Sequence, residues 1–182
     1  MGKKDFDPFA DRLSRDIRNT LCHTMVHDLQ RGQRSEFMKQ CRCWLQQDLP
    51  DAHRAYIEDS RRTFERLFEP CPLKDNANPL GLAVRLWNEG MFFEVHEVVE
   101  HLWHPATGPR KQALKGFVQA AGCYVHHRAS HGKAANGLAL KAAVNLRSAA
   151  MFFGEIANLE ELIGSLENRS AEAPRLAFSG SP

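Results

Sequence analysis

The sequence predicts an all-α protein, a compact bundle of helical hairpins with a three-helix extension at its amino-terminal side. Apolar residues recur at steps of three and four along each long segment, which is the spacing of one face of an α-helix. Most breaks between these segments carry Gly or Pro, the residues that most often end helices. No regular β-sheet is therefore expected.

The composition is typical of an intracellular globular protein. The chain has 182 residues, of which 43% are hydrophobic and 25% charged, so a packed core is expected. No apolar run reaches the roughly 18 residues of a membrane span, and the first residues lack the apolar stretch of a secretory signal. Five cysteines at unrelated spacings predict reduced thiols. These observations predict a cytoplasmic location and no membrane partner.

The charge does not favour nucleic acid as a partner. The formal net charge is only +2, and Lys and Arg balance Asp and Glu in each half of the chain. A nucleic-acid-binding domain usually carries a clear excess of positive charge.

Three helices are predicted in the extension, residues 1–69. Capping residues and prolines bound them, and they run from Asp7 to Gly32, from Ser35 to Leu49 and from Asp51 to Glu69. The following segment, 70–78, holds two prolines and two asparagines and is predicted to be a linker.

The second part, residues 79–167, is predicted to hold five helices. Asn78-Pro79 supplies a cap and a first-turn proline for the first of them. The helices are expected at Pro79 to Asn88, Met91 to His104, Arg110 to His131, Ala134 to Phe153 and Ile156 to Leu166. The tail, 168–182, is rich in Ser, Ala and Pro, which predicts disorder.

The densest polar signal lies on the second of these five helices. At about 100° per residue, His96 falls inside an apolar arc, and Glu100 lies one turn later on its shoulder. We predict a hydrogen bond between these two side chains, with Trp103 and Phe93 as core anchors. A single His on an apolar face is often only a satisfied core residue, so the pair need not be functional.

The opposite face of the same helix is predicted to be exposed. Glu94, Glu97 and His101 point away from the apolar arc, together with His104 near the helix end. This face is available to solvent or to a partner.

The next helix supplies further polar groups. Gln119, Gly122 and His126 lie along one side of it, and Gly122 would allow the close approach of a second helix or a ligand. The predicted polar site is a groove between the two helices lined by His96, Glu97, Glu100, Gln119 and His126.

No complete metal motif is present. The run from His96 resembles the start of HExxH, but Glu100 occupies the place of the second His. No Glu of this segment precedes a His by three residues, as a di-iron helix bundle requires. Glu97, His101 and His104 remain as candidates for a divalent metal. No other cofactor is predicted.

Three motifs resemble the family catalogued as domain of unknown function 309. They are LWNEGMFFEVHEVVEHLW at Leu86 to Trp103, GFVQAA at Gly116 to Ala121, and the pair His126-His127. The resemblance covers about residues 79–153 and implies a compact all-helical bundle, but no reaction. The family's pattern maps onto Phe93, His96, Glu97, Glu100, Trp103, Gly116, Gln119 and either His126 or His127. His101 and Gly122-Cys123 depart from it.

Two functions remain open. The preferred one is a non-catalytic module that binds a protein partner or a small molecule in the groove, because no nucleophile with a base and an orienting group is visible. The alternative is a hydrolase in which His96 acts as general base and Glu100 orients it, with or without a metal.

Overall fold

A computed structural model describes residues 6–68 and 78–179, and every regular element among them is a helix. The prediction of an all-α fold is confirmed. The α-helices are α1 (Arg12–Arg31), α2 (Ser35–Leu45), α3 (Asp51–Phe68), α4 (Pro79–Asn88), α5 (Phe92–Trp103), α6 (Gly108–Arg128), α7 (Gly132–Ser148) and α8 (Leu159–Glu167). A short 3₁₀-helix, Ala150–Phe153, follows α7. Within the described residues, none of these helices combines the length and the apolar character needed to cross a bilayer.

The chain divides into two compact units, Met1–Ala77 and Asn78–Pro182. In the first unit, α1, α2 and α3 pack against one another. Their core is apolar, and the rings of Phe37 and Phe64 lie 4.3 Å apart at its centre.

The start of α1 differs from the prediction. Asp11, rather than Asp7, caps the helix by accepting a hydrogen bond of 2.7 Å from the amide of Ser14. Asp7 instead accepts from the amide of Phe9 in the preceding turn. The first helix therefore begins at Arg12 and ends at Arg31, and Gly32 caps it where the sequence predicted, with a φ of 65° that suits glycine.

The second unit places α4 and α6 against α5, α7 against α6, and α8 against α7. Its aromatic centre is Trp87, which is 2% exposed. The rings of Phe92, Phe117 and Tyr124 lie between 5.0 and 5.4 Å from the Trp87 ring. Trp103, the predicted core anchor, is only half-buried, because the arc that contains it leaves the core at the end of α5. Phe93 is half-buried as well.

Gly116 brings α6 and α7 close together. A Cβ atom at this position would lie 3.0 Å from the backbone nitrogen of Leu146 and 3.0 Å from the Cβ of Asn145. At Gly122, where the sequence suggested a close approach, the nearest atom would be a Leu138 methyl at 3.4 Å, an ordinary contact. The glycine that the helix packing requires is therefore Gly116.

The segment 168–179 is ordered, although its composition predicts disorder. Trp87 Nε1 donates a 2.8 Å hydrogen bond to the carbonyl oxygen of Pro174, and the Leu176 side chain is buried. An isolated antiparallel bridge joins Ile156 to Phe178. These contacts with distant residues fix a segment that has few apolar side chains of its own.

Three further boundaries of the second unit differ from the prediction by at least three residues. The helix expected to reach His131 ends at Arg128. The helix expected to reach Phe153 ends at Ser148, and the last helix begins at Leu159 rather than Ile156. The predicted linker, 70–78, lies outside the described residues except for Asn78, which caps α4 by accepting from the amides of Leu80 and Gly81.

Candidate functional site

His96 and Glu100 face each other across one turn of α5. His96 Nδ1 lies 3.8 Å from Glu100 Oε2, within ion-pairing range but longer than a hydrogen bond. The two side chains are 36% and 35% exposed. The pair therefore lies at the edge of the buried face of α5. Both side chains are more exposed than the sequence predicted when it placed His96 inside the apolar arc.

The opposite edge of α5 holds a buried carboxylate. Glu94 is 3% exposed, whereas the sequence placed it on an exposed face. The buried face of this helix is wider than a single stripe because α4 and α6 both pack against α5. Glu97 is half-buried, and His101 and His104 are exposed.

Gln119 takes part in a chain of side-chain amides between α6 and α7. Asn145 Nδ2 donates a 2.7 Å hydrogen bond to Gln119 Oε1, and Gln112 Nε2 donates to Asn145 Oδ1 at 3.2 Å. We call Gln112, Asn145 and Gln119 the amide chain. The hydrogen bond of Gln119 thus joins it to α7, whereas the sequence placed Gln119 opposite His96 on α5.

The carboxyl end of α6 carries two histidines in different surroundings. The His126 ring lies 5.8 Å from that of His131, and burial, followed by the charge of His131, lowers the pKa of His126 below its ordinary value. The His127 ring lies 6.2 Å from the ring of Tyr124. His126 therefore favours the neutral imidazole.

No complete metal site forms in the part of the chain that the structure describes. Among residues 6–68 and 78–179, no group of three or more His, Cys, Asp and Glu side chains could hold a metal ion. Glu97, His101 and His104, the predicted candidates, do not make such a group.

A cavity of about 390 Å³ lies beside Trp87 in the second unit. Its walls come from α4, α5, α6 and the tail, and they include Trp87, Phe92, Tyr124, Arg128 and residues 171–175. The Arg128 guanidinium lies over the Phe92 ring, 4.7 Å from its centroid, and donates to the carbonyl oxygen of Gly90. We call this site the aromatic cavity.

Tyr124 is the unusual residue of the aromatic cavity. Its side chain is 1% exposed, and its hydroxyl has no hydrogen-bond partner within the described ranges. Burial, followed by the neighbouring Cys123, raises the pKa of Tyr124 above its ordinary value, so the hydroxyl stays protonated. The sequence did not identify Tyr124 as a candidate, because nothing in a sequence shows that a buried hydroxyl lacks a partner.

Comparison with known families identifies the part of the chain that builds these features. Residues 80–138 match the family model of domain of unknown function 309, DUF309. This match confirms the resemblance seen in the sequence motifs. No curated protein and no solved structure matches this chain.

We call the matched residues, 80–138, the DUF309 segment; they cover α4 except for its first residue, then α5, α6 and the first part of α7. The DUF309 segment supplies five of the residues that line the aromatic cavity: Trp87, Asn88, Phe92, Tyr124 and Arg128. The tail that completes the cavity and the Asn145 of the amide chain lie beyond the matched residues. The cavity therefore combines side chains of the matched residues with a segment outside the match.

A second polar cluster lies outside the DUF309 segment, in the first unit. Ser14 Oγ lies 3.0 Å from His53 Nε2, and Asp11 Oδ2 lies 3.2 Å from the same nitrogen. In a catalytic triad the serine and the carboxylate bond to different nitrogens of the imidazole ring. One nitrogen accepts the serine proton, and the other donates to the carboxylate, which orients the ring. Ser14 is also 0% exposed, and its hydroxyl donates to the capping carboxylate of Asp11. This cluster secures the start of α1 and is not arranged for catalysis.

Proposed function

We propose that this chain is a cytoplasmic, non-catalytic module that binds a small organic molecule in the aromatic cavity. The observation that carries the proposal is the buried Tyr124 hydroxyl without a hydrogen-bond partner among the described residues. Leaving such a group unsatisfied costs about 1 to 3 kcal/mol. The hydroxyl has almost no accessible surface of its own, so a ligand would remove that cost by displacing the atoms that cover it and placing an oxygen beside it. A tyrosine hydroxyl is protonated at neutral pH, so Tyr124 would act as a hydrogen-bond donor.

The walls of the aromatic cavity indicate the chemistry of the ligand. Trp87, Phe92 and Tyr124 offer aromatic surface, which suits a flat or apolar body. Arg128 and Arg175 bring two positive charges against the single carboxylate of Glu172. A volume of about 390 Å³ falls in the range of small-ligand sites. A small aromatic carboxylic acid fits this combination.

Ligand-observed NMR with the full chain tests the proposal. Phenylacetate is the probe, and phenylacetamide, which has the same shape without the charge, is the reference. We expect phenylacetate to bind and Tyr124→Phe to weaken binding about threefold to tenfold, the value of one hydrogen bond. Tyr56→Phe changes the other tyrosine of the chain and serves as the matched control.

Two results would contradict the binding proposal. One is equal affinity of the wild type and Tyr124→Phe for phenylacetate. The other is an absence of binding by phenylacetate and by other aromatic carboxylates of similar size.

The hydrolase alternative keeps one supporting observation. His96 and Glu100 lie within ion-pairing distance and both are accessible, as a general base and its orienting carboxylate would need to be. Turnover of an activated ester that is lost in His96→Gln and retained in His101→Gln, its exposed neighbour on α5, would favour this function. Equal turnover by the two variants would count against it.

A further inference from the structure

The charge of the chain is unevenly distributed along α6 and α7. From His101 to Gly154 the sequence contains seven Lys and Arg residues and no Asp or Glu. The net charge of +2 for the whole chain hides this stretch, because acidic residues elsewhere compensate for it. Helices α6 and α7 therefore form a pair with a basic surface.

Part of this surface forms a groove of about 360 Å³. We call it the basic groove, and its lining residues are Trp103, Gly108, Lys111, Gln112, Lys115 and Asn145. Lys111 and Lys115 stand one turn apart on α6, and the Lys111 ammonium lies 4.9 Å from the centroid of the Trp103 ring. Within residues 6–68 and 78–179, no carboxylate lies within ion-pairing distance of either lysine.

The amide chain gives the basic groove neutral hydrogen-bonding groups. Gln112 and Asn145 both line the groove, and they are joined by the 3.2 Å bond between Gln112 Nε2 and Asn145 Oδ1. Gln112 Nε2 also lies 3.4 Å from Ser148 Oγ, and Asn145 Nδ2 is held by Gln119. These bonds fix the orientation of both side chains and use both N–H groups of Gln112, so Asn145 Nδ2 keeps one N–H that can contact a ligand without a loss of rotamer freedom.

We propose that the basic groove binds the phosphate group of a phosphate ester. Two ammonium groups without carboxylate partners provide the point charges that phosphate oxygens require, and the second N–H of Asn145 Nδ2 provides one further donor. Trp103 supplies an aromatic wall for the organic part of the ester. The groove lies at the beginning of α6, whereas Tyr124 and Arg128 of the aromatic cavity lie near its end, so this proposal is independent of the proposed function.

Phosphate esters reach such a site as free nucleotides or as part of a nucleic acid, and a titration distinguishes the two. Isothermal titration calorimetry of the full chain uses three probes: inorganic phosphate, adenosine monophosphate and a single-stranded oligonucleotide of about ten residues. We expect adenosine monophosphate to bind more tightly than inorganic phosphate. An oligonucleotide that binds more tightly than the mononucleotide, with an affinity that falls steeply as salt is added, identifies nucleic acid as the source. Tighter or equal binding of the mononucleotide identifies a free nucleotide.

The matched variants change the charge equally at different places. Lys111→Gln with Lys115→Gln removes two charges from the basic groove, and Lys133→Gln with Lys141→Gln removes two exposed charges from α7 outside it. The first pair should weaken binding at least about tenfold, and the second should change it by less than about twofold. Lys115→Gln alone, at an exposed position, should give an intermediate loss and guards against misfolding of the double variant. Equal losses in the two double variants, or no binding of any of the three probes, would overturn the proposal.

Discussion

The side chain of Asn88 pairs with the backbone of Leu176, 88 residues further along the chain. Asn88 Nδ2 donates to the Leu176 carbonyl oxygen at 2.9 Å, and the Leu176 amide donates to Asn88 Oδ1 at 2.7 Å. One amide side chain thus satisfies both backbone groups of a residue that belongs to no helix. Together with the bond from Trp87 to Pro174, this pair holds the tail against α4.

Replacing Asn88 should loosen the tail around Leu176. Asn88→Ala removes both hydrogen bonds and should lower the free energy of unfolding by about 1 to 3 kcal/mol. Hydrogen exchange at the Leu176 amide should become much faster. Asn136→Ala is the control, because the Asn136 side chain makes no hydrogen bond within the described residues. Unchanged exchange at Leu176 in Asn88→Ala would show that the tail is held by other contacts.

The close approach of α6 and α7 makes Gly116 sensitive to the smallest addition. Gly116→Ala places a methyl group 3.0 Å from the backbone of Leu146, so the helices must separate, and a destabilisation of about 1 to 3 kcal/mol is expected. Gly137→Ala, on α7 with no atom within 4 Å of the new methyl group, should instead stabilise by about 0.5 to 1 kcal/mol through helix propensity. Urea denaturation measures both changes. A neutral Gly116→Ala would mean that the two helices pack less tightly than described.

The two tryptophans of the second unit should differ in their contributions to stability. Trp87→Ala empties the aromatic centre and should cost about 3 to 5 kcal/mol. Trp103→Ala, at a half-buried position, should cost only about 1 to 2 kcal/mol. Thermal denaturation can rank them. A larger loss of stability in Trp103→Ala than in Trp87→Ala would support the core position that the sequence predicted for Trp103.

The coupling between His96 and Glu100 should be small. Because both side chains are about a third exposed and 3.8 Å apart, a double-mutant cycle with His96→Ala and Glu100→Ala should give less than about 1 kcal/mol. Chemical denaturation of the wild type, the two single variants and the double variant supplies the cycle. A larger coupling would indicate that the pair closes to hydrogen-bond distance in solution.

His126 should make the fold less stable in mild acid. Its pKa is lowered from 6.5 by burial and by His131, so the unfolded chain takes up a proton at a higher pH than the folded one. The stability is therefore complete above the ordinary pKa and declines as the pH falls below it. His126→Gln should reduce the loss of stability between about pH 7.5 and pH 5. An NMR titration of the imidazole measures the pKa directly, and a value above 6.5 would refute the assignment.

Local signals predicted most helix ends, because a cap acts within one turn. Asn78 and Gly32 lie where the sequence placed them, since an amide acceptor and a left-handed glycine need only their neighbours. Asp7 was wrongly predicted as the cap, because Asp11, four residues later, accepts the hydrogen bond from the first-turn amide of α1 instead.

Features that depend on a second element were not predictable in the same way. A helical arc cannot show that α5 packs on two sides, so Glu94 was wrongly placed in solvent. Gln119 was assigned to the correct helix, but its partner Asn145 lies 26 residues away on α7. The family resemblance identified the DUF309 segment, yet the tail that completes the aromatic cavity lies outside it.

The bonds from Trp87 and Asn88 to the tail also affect the order of events during protein synthesis. Their acceptors lie 87 and 88 residues downstream, so at about 5 to 20 residues per second the ribosome needs roughly 4 to 18 seconds to supply them. Until then the indole and amide groups at the end of α4 lack the carbonyl partners that they have in the folded chain. The aromatic cavity therefore acquires its last wall only after the helices around it have emerged from the ribosome.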